Sequence, residues 1–511
     1  MIIARNKNAT VLFVMETLLT WPDFLILGLL LAAMLGLGYW KGGSQATTKD
    51  FFLARRQIPW WAACLAFVAT EVSAVTLISV PATAFMENWQ YAQFFIGSTA
   101  ARFVIAYLFI PAFYHYNCTT IYEFLLHRFG AATQRTATVF FFITRLLGSG
   151  VRFMVAALAL SVLLGWPIMP AILLFLSINV AYVVYGGMKS TIWTGTFQTL
   201  TYIVCGLITI AYIALHIPGG FPELIHAASA AGKLHVWDWG PSWSDPGFFK
   251  NFFKDPNIVW IAVANGFFGS MAAFGTDQEL MSRLLTVETR PKSQKAMVMT
   301  PIASGIVLLI YLAVGTSLYS FYSTHPSLPL PAKLDKIFPH FIGNSMPVLL
   351  RGLLLGMIGL ASMDTPLASL TTSFVTDIYK PLIHPQDSEA YYLRISRVCV
   401  GVFAVFLALI AYGFSFYQKF LWLAFKIGGV TFGSLLGVFL LGFLTKRPSN
   451  RANILGMTLM AVVNAILLVL SEMGKIPLGW TWLLLIGTAG TFAIGYFLGP
   501  RMDPPPAVAG A

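Results

Sequence analysis

The chain has 511 residues, of which 57% are hydrophobic and only 10% charged, with a mean hydropathy of +0.75. A soluble domain of ordinary make-up carries about 25% charged residues, so most of this surface does not face water, and no polar stretch is large enough for a separate soluble domain. The net charge of +12 lies mostly in short loops between apolar runs, a pattern that encodes membrane topology and argues against nucleic acid as a partner.

Residues 1–21 read as a retained N-terminal tail, because Arg5 and Lys7 precede a short apolar stretch broken by Glu16 with no small-residue cleavage site. Apolar runs long enough to cross about 30 Å of hydrocarbon then recur at 22–40, 59–84, 91–113, 136–164, 167–186, 191–217, 257–277, 297–322, 347–374, 391–414, 420–444, 452–472 and 478–499. These thirteen spans make one transmembrane domain, 22–499, followed by a short cytoplasmic tail, 500–511. An odd number puts the termini on opposite sides of the bilayer. With the N-terminus outside, the inner loops hold about twice as many Lys and Arg as the outer ones, Arg283 among them, so an N-out, C-in orientation is expected. The outer loops 218–256 and 323–346 are rich in Pro, Trp and Gly and are expected to be ordered caps.

Two spans are irregular. Span 59–84 places Glu71, Ser73, Thr76 and Pro81 where a lipid-facing helix would be apolar, and span 257–277 gathers Gly266, Gly269 and Gly275. Backbone breaks at membrane depth survive only where protein or a wet cavity satisfies the freed N–H and C=O groups. Broken helices at matching positions of two halves point to a transporter's binding site. These are the second and seventh spans, each the first of a group of five, which suggests two repeats at 59–217 and 257–444.

Six charges lie within spans: Glu71, Arg102, Arg145, Arg152, Asp364 and Lys426. Each costs about 2.5–3.5 kcal/mol at a helix centre on insertion scales. Arg102 stands alone and reads as a snorkelling or paired residue, whereas Arg145 and Arg152 are two turns apart on one helix face. Four cations against two carboxylates leave a basic excess that points to an anionic solute. Ala69, Val72, Ser73 and Thr76 share a helix face, and "GLASMDTPLASLTTSF" surrounds Asp364 with small hydroxyl residues. Such residues serve tight helix packing as readily as they serve a hard cation. The eight histidines fall in loops or at span edges, Cys64, Cys118, Cys205 and Cys399 are far apart, and no HExxH or Walker motif occurs. Neither an enzyme, a zinc site nor a disulfide frame is expected. A channel lacks its filter-like segment.

Several segments together resemble the sodium/solute symporter family, relatives of the sodium-coupled glucose, proline, iodide and sialic acid carriers. They are "YEFLLHRFG" (122–130), "YGGMKSTIWTGTFQ" (185–198), "FGTDQELMSRLL" (274–285), "SFVTDIYKPL" (373–382) and "FGSLLGVFLLGFLTKR" (432–447), in the family's order. The resemblance implies an all-α membrane protein of thirteen helices, N-out, with a LeuT-like core of two inverted five-helix repeats and a solute site at mid-membrane. It places sodium on the backbone carbonyls of Ala69, Val72 and Ile358 and on hydroxyls at 361 and 362. Here 361 is Ala, which leaves Ser362 alone, and an Asp that many members carry after "IWT" is Gly195. Glu71 or Asp364 would then supply the missing negative charge or take up a proton instead. The implied solute site comprises Ser73, Thr76, Ser270, Phe274 and the region of Lys426, and Ala272 and Ala273 replace the large aromatics that cover sugars.

The combined expectation is a sodium-coupled symporter of the plasma (inner) membrane, moving a small carboxylate-bearing solute held by Arg145 or Lys426. Proton-coupled or uncoupled transport, and a transporter-like sensor, are the alternatives. No cofactor beyond the coupling ion is expected.

Overall fold

The computed structural model describes residues 19–503 apart from Ser44, Gly165, Trp243, Pro256, Ala332, 362–365 and 417–419, and, within helices, the side chains of 155–156, 158–160, 162–164, 250, 335 and 420–427. Ser362 and Asp364, and the Lys426 side chain, therefore lie outside the described residues. The described chain is helical, its one β-type contact an isolated bridge between Ile58 and Val287. Nine described helices are long and apolar enough to cross a membrane, and a bent pair makes a tenth.

The long helices are α1 (Trp21–Gly42), α2 (Trp60–Glu71), α3 (Ala74–Met86), α4 (Ala92–His115), α5 (Ala131–Leu164), α6 (Ile168–His216), α7 (Val259–Ser270), α8 (Gln278–Leu285) and α9 (Arg290–Thr324). They continue as α10 (Val348–Leu360), α11 (Leu367–Ser373, extended as π-helix Phe374–Ile383), α12 (Glu389–Ser415), α13 (Phe420–Leu444), α14 (Asn450–Glu472) and α15 (Thr481–Met502).

Helix α6 joins two runs read from the sequence as separate spans. It kinks at Gly187, whose φ of 53° is left-handed and whose missing Cβ would stand 2.5 Å from the Phe51 carbonyl oxygen, so glycine alone fits. Helices α4 and α7 cross on glycines: a Cβ at Gly97 would lie 1.9 Å from the Val263 carbonyl oxygen, and one at Gly266 2.1 Å from that of Phe94. Close crossing through small residues is how helices associate where lipid supplies no hydrophobic drive.

The loops 218–256 and 323–346 carry helices Gly220–Ala230, Phe248–Lys254 and Ile337–Ser345. Lys233 Nζ donates to the Phe85 and Met86 carbonyls at 2.8 and 3.0 Å, closing the C-terminal end of α3.

Span 257–277 ends at a break and is followed by a further buried helix where the sequence suggests an inner loop. After the π-turn Met271–Gly275 the chain breaks at Thr276–Asp277 and resumes as α8, every residue of which is buried. Arg283, expected in an inner loop, is 2% exposed. The polar run "TDQE" reads as a loop because its charges match no apolar period. It is buried because those charges find partners.

Candidate ion and solute site

Helices α2 and α3 meet at 67°. Val72 (φ −88°, ψ 101°) and Ser73 (φ −94°, ψ 170°) are extended, which interrupts the hydrogen-bond ladder after Val72 N–H donates to the Val68 carbonyl. A helix end leaves its last four carbonyls without helical donors, and here they belong to the turn Ala69–Val72. The second interruption, between α7 and α8, is stitched to neighbouring elements. The Tyr122 hydroxyl donates to the Thr276 carbonyl at 3.2 Å, and Ile121 N–H to Gln278 Oε1 at 2.9 Å. Asp277 caps α8 by accepting from Glu279 N–H at 2.9 Å.

Beside the first break is a cavity of about 20 Å³, room for one water or one small ion. Its wall includes Ala69, Thr70, Ser73, Ser149, Arg152 and Ala361. It thus brings together two positions at which the family resemblance implies sodium ligands, 69 and 361, the second occupied here by Ala, and adds Ser149. Ser149 was missed, although it stands between Arg145 and Arg152 on the face already noted. Val72 and Ile358 are buried in the same helix core but are absent from this lining.

A larger cavity, about 320 Å³, lies between the two breaks. Glu71, Arg145 and Phe274 line it, together with Arg152, Asn265 and Trp480 among others. Three expected solute residues do not reach it. Ser73 faces the small cavity, Thr76 faces a third cavity of about 90 Å³ shared with Tyr91 and Ser304, and the Ser270 hydroxyl donates to Ser98 Oγ at 2.7 Å at the α4–α7 crossing. Ser270 serves helix packing, the role small residues most often take.

The charges are arranged in pairs that link the breaks to their surroundings. Glu71, the last residue of α2, accepts from Arg102 Nη2 of α4 and from Ser304 Oγ of α9 at 2.7 Å, while Arg102 Nη1 donates to Ser304 Oγ at 3.0 Å. The fully buried Arg102 guanidinium also stacks 4.7 Å from the Phe274 ring centroid. Arg102, read from the sequence as standing alone, is therefore the partner of Glu71, 31 residues away. Arg145 is bound by Asp277 Oδ2 (2.7 Å) and faces Glu279 Oε2 (2.8 Å). Its charge is matched within the protein, which removes the argument that an uncompensated Arg145 must meet an anionic solute. A further buried carboxylate, Asp377, accepts from Thr120, Thr138 and Gln134 at 2.7, 2.9 and 3.0 Å. With Asp277, Glu279 and Asp377 counted beside Arg283, the described interior no longer has an excess of cations.

Gly195 has a steric reason. A Cβ there would come within 3.2 Å of Ala66 Cα, because α6 packs closely on α2 at this level. Any side chain there requires Ala66 to give way by a few tenths of an ångström.

Comparison with known proteins gives a consistent picture. The family model described as the sodium:solute symporter family matches residues 51–460. The chain is 27% identical to a sodium/sialic acid symporter of Aliivibrio fischeri, over 94% of this chain and 93% of that one. It is 25% identical to a sodium/glucose cotransporter of Vibrio parahaemolyticus (86% and 83% covered) and 26% identical to sodium-coupled monocarboxylate transporter 1 of Xenopus laevis (85% and 70%). Its fold is similar to that of a Na⁺-coupled sialic acid symporter solved in a substrate-bound, outward-open state. The TM-score is 0.83 at 23% identity, over 94% of this chain and 98% of that one.

Proposed function

The chain belongs to the sodium:solute symporter family, and from that premise we propose that it carries a small anionic solute inward on a sodium gradient, with the solute in the 320 Å³ cavity and sodium beside the first helix break. The observation that carries this reading is the position of the cavity between two interrupted helices, where unwound backbone is available to ligands.

Carbonyls freed at Ala69–Val72 are hard oxygen donors of the kind alkali cations take, and Ala361, which lines the same cavity, precedes Ser362 in the chain. Sodium held there fixes the angle between α2 and α3 and hence the Glu71 side of the solute cavity. Coupling needs no more than this: an ion that binds one conformation better favours the solute site formed in it, and the solute reciprocates. Glu71 belongs to the Arg102–Ser304 cluster, so the coupled ion in this reading is Na⁺ and not a proton. The solute's anionic group is assigned to Arg152, which lines both cavities and whose five N–H donors can serve several acceptors at once. The sialic acid and monocarboxylate relatives support an anion.

In this reading the chain crosses the plasma (inner) membrane thirteen times. The ten apolar spans are joined by the shorter α10 and α13, and α6, about 74 Å long at 1.5 Å per residue, supplies two spans across its Gly187 kink. The orientation is N-out, C-in, and the inverted repeats run 59–217 and 257–444. Binding of a carboxylate panel to the purified protein, with Na⁺ and with choline, tests the proposal. Stabilisation by acids that requires Na⁺ is the expected outcome, and indifference to Na⁺ contradicts it.

A further inference from the structure

The geometry points to a solute with one anionic end and a bulky apolar body, an aryl- or branched alkyl-carboxylate, in place of a polyhydroxylated sugar acid. This rests on the reading that the 320 Å³ cavity is the solute site.

The described walls of that cavity are mostly apolar. Four aromatic residues line it, Phe94, Phe274, Phe432 and Trp480, together with Leu280 and Leu484. Gly148 and Gly269 make the space: a Cβ at Gly148 would meet nothing within 4 Å, and one at Gly269 only Asn265 Oδ1 at 3.6 Å. The protons of the two wall hydroxyls are already donated elsewhere, which leaves these groups to a solute only as acceptors. Thr70 donates to the Ala66 carbonyl at 3.0 Å and Thr144 to that of Phe140 at 2.7 Å. Glu71 and Arg145 are engaged with Arg102, Ser304, Asp277 and Glu279, as described above.

A sugar acid carries several hydroxyls, each of which costs free energy when it leaves water without a partner. A site selective for such a solute needs a polar group for most of them. Among the described residues Asn265 adds one amide, Trp480 one indole N–H and Arg152 one cation. Aromatic and aliphatic walls instead favour a ring or branched chain, which buries apolar surface at no hydrogen-bonding cost. The volume is at the lower end of the usual range for small-molecule sites, so the body is no larger than one ring with a short side arm.

The test uses the purified full-length protein and measures affinity for phenylacetate, isovalerate, phenylacetamide, gluconate and N-acetylneuraminate by thermal shift, in Na⁺ and in choline. Phenylacetate or isovalerate is expected to bind at least about tenfold more tightly than gluconate, N-acetylneuraminate and phenylacetamide in Na⁺. Gluconate or N-acetylneuraminate binding in Na⁺ as tightly as phenylacetate overturns the inference and leaves the carrier reading standing. Phenylacetamide binding as tightly as phenylacetate overturns the anionic end. Silence of both apolar acids overturns it as well. Tight phenylacetate binding that is equal in Na⁺ and choline upholds the apolar class and removes sodium coupling. The second arm is Phe432→Ala, expected to weaken phenylacetate about tenfold relative to acetate. Equal weakening of both acids places the ring outside the solute's contact and counts against the inference.

Discussion

Arg145 Nε donates to Asp277 Oδ2 across 2.7 Å, which ties the middle of α5 to the residue where the second interrupted helix restarts. Both side chains are buried, and Glu279 stands 2.8 Å from the same guanidinium. Arg145 thus fixes the geometry of the break and contributes to the 320 Å³ cavity as part of its wall. Removing one partner of a buried pair leaves the other charge uncompensated, which costs about 3–5 kcal/mol.

Arg145→Gln is therefore expected to lower the melting temperature markedly, and the double variant Arg145→Gln/Asp277→Asn to recover part of the loss. Any binding that survives in Arg145→Gln should keep the preference for an acid over its amide. Loss of that preference with stability intact would make Arg145 the anion's ligand after all.

The Glu71–Arg102–Ser304 cluster yields a graded series. Glu71→Gln strands the fully buried Arg102 and is expected to cost about 3–5 kcal/mol. Ser304→Ala removes two hydrogen bonds to charged groups, one to Glu71 and one from Arg102, but leaves the ion pair in place, and is expected to cost about 1.5–3 kcal/mol. Chemical or thermal unfolding in detergent at neutral pH reads both. A Glu71→Gln protein as stable as the parent, with pH-driven accumulation abolished, would return Glu71 to the role of a coupled proton carrier.

Residue 361 offers a gain-of-function test. Ala361 lines the small cavity where the family resemblance implies a second hydroxyl. Ala361→Ser is expected to lower the half-saturating Na⁺ concentration about 2- to 10-fold, the worth of one ordinary hydrogen-bonding group. Ser362→Ala is expected to raise it by more. Sodium titrations of solute binding decide the matter, and unchanged half-saturation in both variants would place sodium elsewhere.

Gly148 faces open space and lines the 320 Å³ cavity proposed for the solute. Gly148→Leu is expected to fold normally and to stop solute binding while Na⁺ stabilisation persists. Full solute binding in this variant would move the solute to another cavity.

Much of the fold was legible in sequence, because apolar runs of membrane-spanning length leave few alternatives and the break at Val72–Ser73 shows itself through Glu71, Ser73 and Pro81. The Gly187 kink was not distinguishable from a loop, since "YGGMKS" is as polar as one. The buried helix after the second break was missed for a related reason: a buried polar run reads as a loop until its partners are known. Pairings such as Arg102 with Glu71 or Arg145 with Asp277 join residues 31 and 132 positions apart, and no local pattern encodes them. Ser270 illustrates the remaining ambiguity. A small hydroxyl residue in a membrane helix has the same sequence signature whether it faces a ligand or another helix, and only the crossing of α4 and α7 shows that it meets Ser98.

The most direct test of the account is uptake of the tightest-binding labelled carboxylate into proteoliposomes under an inward Na⁺ gradient. The account expects transient accumulation above the equilibrium level, collapsed by a sodium ionophore and absent when choline replaces Na⁺. Equal accumulation in choline, or accumulation that follows a proton gradient in the absence of Na⁺, would contradict it.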